Sequence, residues 1–464
     1  MKLFKQKPFL IGVIESVIVV GILVHILILF YFTIPTNAVA LGVSFNALYG
    51  LLYVSMLTDG LILLIHLPRR THEHKNLSFD PDKLTILIAC YNGEKVIAET
   101  IEKALTKVKK KNILVASDGS KDKTIFIARK YGVRVLNLQK NMQKAHTISR
   151  AIHEVKTPYV LILDDDTHID KTFIPTSLLD EGYGAVAFSV MPQKTKSLVN
   201  TYQIFEYRRS MFIGRGLRSS IGAVGNVSGA IGLFRTRDLV EQDGHHSGQW
   251  GGEDQQRTML LHLKNYSKGI TFIDSTVTTQ APDTFKALTK QRTKIWNRSC
   301  HELFWLNIRV ILNPNSHYIL KLNRAYYIFV LLTDPIRIAL LWTLLLHPIN
   351  IFINFGFYCI VNIIYWFKLG AKDSLLTVVT FPFYGKYNTL CRLYAHLHWF
   401  KVKLVYYKKK LHARVTSRNL HLEYALTTII LIFFWILALR TAYFHALLER
   451  DSVVSYLGRY LYGH

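Results

Sequence analysis

Apolar residues fall along this chain in two regimes. Between residues 83 and 273 they come in short runs, at 84–89, 113–117, 133–138 and 159–163, separated by stretches whose apolar positions recur at helical spacing near 96–105, 123–131 and 145–155. Short continuous runs alternating with helices predict a βαβ succession, hence a largely parallel sheet covered on both faces. Outside that region the runs lengthen to membrane size, at 9–32, 43–67, 326–346, 349–367 and 424–444. Each predicts a spanning helix. The link 34–41 carries no Lys or Arg, whereas Lys2, Lys5, Lys7, Arg69, Arg70 and Lys75 flank the first two runs, which predicts a cytoplasmic N-terminus and a cytoplasmic α/β region.

The expected layout is therefore two spans over 1–70, a cytoplasmic α/β domain over 71–290 and amphipathic interfacial helices over 291–325. Two more spans over 326–368, a basic interfacial segment over 369–420 and a last span with its tail over 421–464 complete it. Such a chain is a multi-pass integral membrane protein, expected in the plasma membrane with its C-terminus outside. Composition agrees: 50% of the 464 residues are hydrophobic. The net charge of +26 would suit nucleic acid or anionic lipid. Because the 368–418 stretch, rich in Lys and Arg, sits among membrane segments, lipid accounts for much of the charge and no nucleic-acid partner is required. Cys90, Cys300, Cys359 and Cys391 lack zinc or disulfide-framework spacing. Glu15, Asp59, Asp334 and Arg337 fall within apolar runs, where they line a wet path or, for the last two, pair one turn apart.

The chemistry centres on 161–167, Leu-Ile-Leu-Asp-Asp-Asp-Thr, an apolar strand ending in three carboxylates. Open α/β sheets bind ligands at that edge, and Asp164 and Asp166, on one side of the strand end, suit a hard divalent cation that in turn holds a diphosphate. Tyr91 and Asp118 end the two preceding strands, where an aromatic ring and a carboxylate can stack on a base and accept its N–H. Singly, each of these motifs reads equally well as a turn or helix cap.

Together, Ala89 to Glu94, Ser117 to Asp122 and Asp164 to Asp166 resemble the nucleotide-sugar site of family-two glycosyltransferases, which have a GT-A fold. The resemblance continues through Val227 to Gly232, Gly252-Glu253-Asp254, Ala281 to Thr284 and Gln291 to Trp296. In that order the motifs look like the membrane-integrated processive branch that includes hyaluronan, chitin, cellulose and poly-N-acetylglucosamine synthases. The resemblance implies a UDP-sugar donor, a growing polysaccharide as acceptor, contact with membrane lipid, and Mn2+ or Mg2+ as cofactor. Tyr91 and Asp118 would hold uracil, Lys144 the phosphates, Asp164 and Asp166 the metal, and Asp254 would be the general base. Glu94, Asp165, Glu253, Gln291, Arg292, Lys294 and Trp296 complete the implied substrate-binding set.

Three departures stand out. Gly93 occupies the place of the family's Glu, with Glu94 next, and Gln143 stands where Gly usually precedes the phosphate-side Lys. The Q-x-x-R-W pattern appears as Gln291, Lys294 and Ile295, with Trp296 one place late, which on an α-helix turns a side chain by about 100°. His245, His246 and Trp250 suggest a polar loop over the donor. Ser299 to Glu302 weakly resembles the hyaluronan branch, so the product leans to an N-acetylglucosamine-containing polymer of hyaluronan or chitin type. Single-sugar transfer to a lipid phosphate, and a non-catalytic receptor or scaffold, are the alternatives.

Overall fold

The computed structural model describes residues 17, 76–219, 222–243, 252–264, 266–296, 301–344, 348–409 and 422–440. The runs expected at 9–32 and 43–67, with Glu15, Asp59, His245, His246 and Trp250, lie outside the described residues. The described residues form two compact units, one built on 76–325 and the other on 326–409 with 422–440.

The first unit is a seven-stranded sheet in the order β3-β2-β1-β4-β6-β5-β7. Strand β1 is Leu84–Cys90, β2 Ile113–Ser117, β3 Arg134–Asn137, β4 Tyr159–Asp164, β5 Ala185–Pro192, β6 Ile231–Arg235 and β7 Ile270–Thr279. The four runs read from the sequence are the first four strands, and β1 and β2 are buried along their whole length, as continuous apolar strands require. At the centre of this core Ile86, Leu87, Leu161 and Leu163 are fully inaccessible. Helices α1 (Ile97–Leu105), α2 (Thr124–Lys130) and α3 (Lys144–Ile152) are the three expected connections.

The sheet is largely parallel, as expected, with one strand reversed. β6 runs antiparallel to both β4 and β5, and β7 returns parallel to β5. This reversal matters for function. An antiparallel neighbour starts where β4 ends, so the turn before β6 is delivered to the edge that carries the aspartates: Asp164 N–H donates to Ala230 C=O at 3.0 Å. β7 ends at the same edge. The chain also switches direction across the sheet between β1 and β4, which opens a crevice where the loops after them diverge.

Helices α4 (Leu198–Arg209), α5 (Thr236–Gln242) and α6 (Glu253–Leu263) follow, then α7 (Phe285–Gln291), which runs into a π-helical turn, Arg292–Trp296. Another π segment, Ser210–Gly216, extends α4. Helix α8 (Phe304–Leu312) was expected at an interface. Its Leu306 and Val310 pack with Met259 of α6 and Ala223 into a core of the first unit.

In the second unit, α9 (Tyr318–Leu344, beginning in the first unit), α10 (Pro348–Lys368) and α12 (Leu422–Arg440) fall on the remaining apolar runs, and α11 (Leu375–Lys409) on the basic segment. Among the described residues one helix, α12, is long and apolar enough to cross a membrane, with mean hydropathy 2.2. Asp334 is buried and paired with Arg392 of α11, Nε to Oδ2 at 2.7 Å. Arg337, its expected partner, has a side chain outside the described set.

Candidate active site

The loop after β1 and the loop after β4 face each other across a cleft of about 640 Å3, lined by Tyr91, Glu94, Lys121, Asp165, Asp166 and Gln280 among others. Asn92, in a left-handed conformation at φ 53°, fixes the first loop. Its Oδ1 accepts from Lys121 N–H at 2.9 Å, and its own N–H donates to Ser120 Oγ at 3.0 Å. Glu94 belongs to the same stitching, accepting from Lys123 N–H at 3.2 Å while its own N–H donates to Asp122. Glu94 thus joins the β1 and β2 loops at the cleft wall. Tyr91 is left 47% exposed, a ring with a free face.

Gly93 has a specific use here. A Cβ at that position would stand 2.6 Å from Asp165 Oδ2, so the missing side chain leaves the room that Asp165 fills. Asp118 is buried, and its Oδ1 accepts from Met142 N–H at 2.6 Å. It therefore ties the β2 end to the loop that leads into α3. That loop ends at Gln143, at φ 73° and ψ 152°, a backbone region that glycine occupies with ease and side chains rarely.

The conformation of Gln143 sends Lys144 into the carboxylates. Lys144 Nζ ion-pairs with Asp164 Oδ1, lies 3.5 Å from Glu253 Oε1 and donates to Gly229 C=O at 3.0 Å. Asp166 Oδ1 accepts from Thr279 Oγ1 at 2.9 Å. Burial, only partly offset by Lys144, pushes the Asp164 carboxyl up to about 6. Burial and the charges of Asp164 and Asp166 push Asp165 up to about 7. Crowded carboxylates with raised proton affinity and one contacting ammonium are short of positive charge, so the donor set fits a divalent cation. Among the described residues no three His, Cys, Asp or Glu groups converge as a complete metal site. That suits a cation held by one or two carboxylates and completed by phosphate and water.

Across Lys144 stands the first turn of α6. Gly252 precedes it at φ 93°, and Glu253 and Asp254 sit at the helix N-terminus, where the dipole favours negative charge. Asp254 Oδ2 accepts from Gly229 N–H at 3.0 Å and Asn226 Nδ2 at 3.3 Å, and Oδ1 from Gln255 N–H at 2.8 Å. Burial first, then Glu253, raises its proton affinity. A half-buried carboxylate with raised proton affinity, held by three N–H groups, is chemically equipped to receive a proton.

Gln291 ends α7, with its Oε1 buried and without a protein partner among the described residues. Arg292 is 4% exposed, ion-paired with Glu206 and stacked 3.7 Å from the Trp296 ring centroid. It supports the indole from below. The ring is 39% exposed and also neighbours Tyr207, centroids 6.0 Å apart. The Lys294 side chain lies outside the described set.

Sequence reasoning missed three groups. Arg257 is buried against Phe234 and feels the charges of Glu253, Asp254 and Asp164. It lies one helical turn after Glu253 and Asp254, so helical spacing could have found it. Arg215, lowered to about 10 by burial, donates to Phe188 C=O at 3.0 Å from within a π segment that no sequence pattern announces. Asn226, which touches Asp254, precedes the quoted motif by one residue.

Residues 85–240 match the model of glycosyl transferase family 2. A poly-beta-1,6-N-acetyl-D-glucosamine synthase of Staphylococcus aureus (strain COL) is 29% identical over 230 residues, 47% of this chain and 55% of that protein. The Staphylococcus epidermidis protein of the same name is 26% identical over 241 residues, 49% and 57% of the two chains. This chain thus spans about half the length of the curated relatives it matches. Among solved structures, a mannosyltransferase from Pyrobaculum calidifontis in complex with GDP-Man and Mn2+ aligns with a TM-score of 0.42 and 15% identity, over 70% of this chain and 94% of that one. The segment that carries Asp118, Lys144 and Asp164 to Asp166 is a glycosyl transferase family 2 domain.

Proposed function

We propose that the protein is an inverting, UDP-sugar-dependent polysaccharide synthase of GT-A fold that adds N-acetylglucosamine to a growing polymer and passes the product through its own membrane helices. The observation that carries the chemistry is the facing of two acidic groups across Lys144, Asp164 to Asp166 at the end of β4 and Glu253-Asp254 at the start of α6. One would hold the cation that carries a donor diphosphate and the other receives a proton. The names of the staphylococcal relatives support an N-acetylglucosamine polymer and move the preferred product from the hyaluronan or chitin type to the poly-N-acetylglucosamine type.

In this reading Tyr91 stacks on the base and Asp118 accepts its N–H. Lys144 shifts from Asp164 toward the diphosphate when the donor arrives. Asp164 and Asp166 hold Mn2+ or Mg2+, which when bound supplies positive charge to the leaving diphosphate. Asp254 takes the proton from the acceptor hydroxyl as that oxygen attacks C1 of the donor sugar. A base so placed contributes about 10²- to 10⁴-fold. Arg292 and Tyr207 hold Trp296 as a platform for the polymer.

The test is incubation of purified enzyme with labelled UDP-sugars, singly and in pairs, followed by sizing and digestion with linkage-specific glycanases, alongside Asp254→Asn. UDP-N-acetylglucosamine alone should give a polymer, and Asp254→Asn should keep UDP affinity while losing most turnover. A product that requires a second UDP-sugar, or an Asp254→Asn enzyme that retains full turnover, overturns the reading.

A further inference from the structure

Asp254 is held by a turn as well as by its own helix. Three positions one turn apart on α6, Asp254, Thr258 and His262, are stitched to the segment 224–229. Thr258 Oγ1 donates to Asp254 C=O at 2.8 Å and accepts from Val227 N–H at 2.9 Å. His262 Nε2 lies 2.8 Å from Val224 C=O; burial pushes this ring down to about 4, so it is neutral and a donor there. Within that segment Asn226 offers Nδ2 to Asp254 Oδ2 at 3.3 Å.

Asn226 is costly for a packing residue. Its Oδ1 is buried and has no protein partner among the described residues, and an unmet buried polar atom is destabilising. An apolar side chain of similar size would fill the space without that cost. What offsets the cost is the hydrogen bond its Nδ2 gives the carboxylate. The turn that presents it is pinned from behind: Arg324, 4% exposed, places Nη2 2.1 Å from where a Cβ on Gly225 would stand. Nη2 also donates to Asn323 Oδ1 at 2.6 Å. Only a glycine lets the guanidinium come so close to the backbone beside Asn226.

We infer that Asn226 is a positioning residue for Asp254, and that Arg324 at the start of α9 holds Asn226 in place through the close approach at Gly225. The inference rests on the reading of Asp254 as the base. α9 then bears directly on the turn that aims this carboxylate.

The experiment measures kcat and KM for UDP-N-acetylglucosamine, with UDP affinity, on full-length enzyme carrying Asn226→Ala, Asn226→Asp or Gly225→Ala. Losing a hydrogen bond to a charged group should lower kcat about tenfold or more in Asn226→Ala, with KM and UDP affinity unchanged. Asn226→Asp keeps shape, cannot donate when ionised and repels Asp254, so it should be the worse of the two. A packing role predicts the reverse order, because the isosteric Asp would then be mild. Gly225→Ala should lower kcat at unchanged KM by displacing Arg324. Asn226→Asp at wild-type kcat overturns the inference, as does Asn226→Ala being the more damaging change; wild-type kcat in Gly225→Ala overturns the role of Arg324. Retained UDP affinity shows that each variant is folded. Should Asp254→Asn prove fully active, the base reading falls and takes this inference with it; should Asp254→Asn be inactive and Asn226→Asp normal, this inference alone falls.

Discussion

Gln143 is strained where a glycine would be at ease, and the strain has a use. Its C=O accepts from Thr147 N–H at 3.1 Å to open α3, and the residue after it is Lys144, which must turn into the acidic cluster. A side chain in this backbone region costs about 1–3 kcal/mol, so Gln143→Gly should raise the denaturation midpoint without lowering turnover. A lower midpoint would show that the side chain more than offsets its conformation. The carboxylates carry a second prediction. Asp164 and Asp165 are raised above the ordinary carboxylate value in the folded protein, so folding binds protons that the unfolded chain binds less tightly. Their destabilising effect is fully present above about pH 7 and is relieved as pH falls through the raised values. The melting temperature without metal should therefore gain from these groups between about pH 8 and pH 5, and added Mn2+ should raise it more at the upper pH than at the lower. An equal Mn2+ effect at both would remove the acidic cluster as the cation's site. These residues were legible in the sequence because a strand end concentrates charge in a short stretch. Asn226 and Arg215 were not, since their place depends on β6 running backwards and on a π turn, neither of which leaves a periodic signal.

At the scale of elements the π turn Arg292–Trp296 resolves the register of Trp296. Five α-helical steps from Gln291 would carry Trp296 about 140° round the axis, whereas four would carry a residue only about 40°. A π turn bonds i to i+5 and accommodates one extra residue per turn. Trp296 therefore returns to nearly the direction that the preceding position would have on an α-helix, and Arg292 beneath it and Tyr207 beside it fix the ring. In the sequence the late Trp stood about 100° out of place because a strict 3.6-residue period was assumed. Trp296→Ala should shorten the polymer or abolish elongation while hydrolysis of UDP-sugar by water persists, and Ile295→Ala should do much less. Product length unchanged by Trp296→Ala would leave the ring a membrane anchor. The sheet gave a similar lesson. Its first four strands were legible as continuous apolar runs, while β5 to β7, whose pairing mixes directions, were not read as strands at all.

At the scale of the whole molecule the topology proposed from the sequence assigns each segment a side of a membrane, and charge tests that proposal more directly than helix length. α12 alone among the described helices is long and apolar enough to span by composition, yet α10 and α11 also present large apolar side chains outward, among them Phe352, Phe367, Leu390, Tyr394 and Leu397. On α11, Leu390, Tyr394 and Leu397 recur at helical spacing, the pattern of a helix lying against lipid, and the Lys- and Arg-rich stretch through 368–418 supplies cations for anionic headgroups. Asp334 carries its own counter-charge, since Arg392 meets it with Nε and Nη2. If basic segments face the cytoplasm and the link 34–41, free of Lys and Arg, faces outward, a cysteine introduced at Asn37 or His464 should react with an impermeant thiol reagent in intact cells. One at Lys409 should react only after the membrane is opened. Cys90 and Cys391 are buried but Cys359 is half-buried, so the measurement uses a background in which Cys300 and Cys359 are replaced. Labelling at Lys409 in intact cells, with protection at Asn37, would place residues 68–325 outside, away from a cytoplasmic supply of UDP-sugar, and the proposed synthase could not work as described.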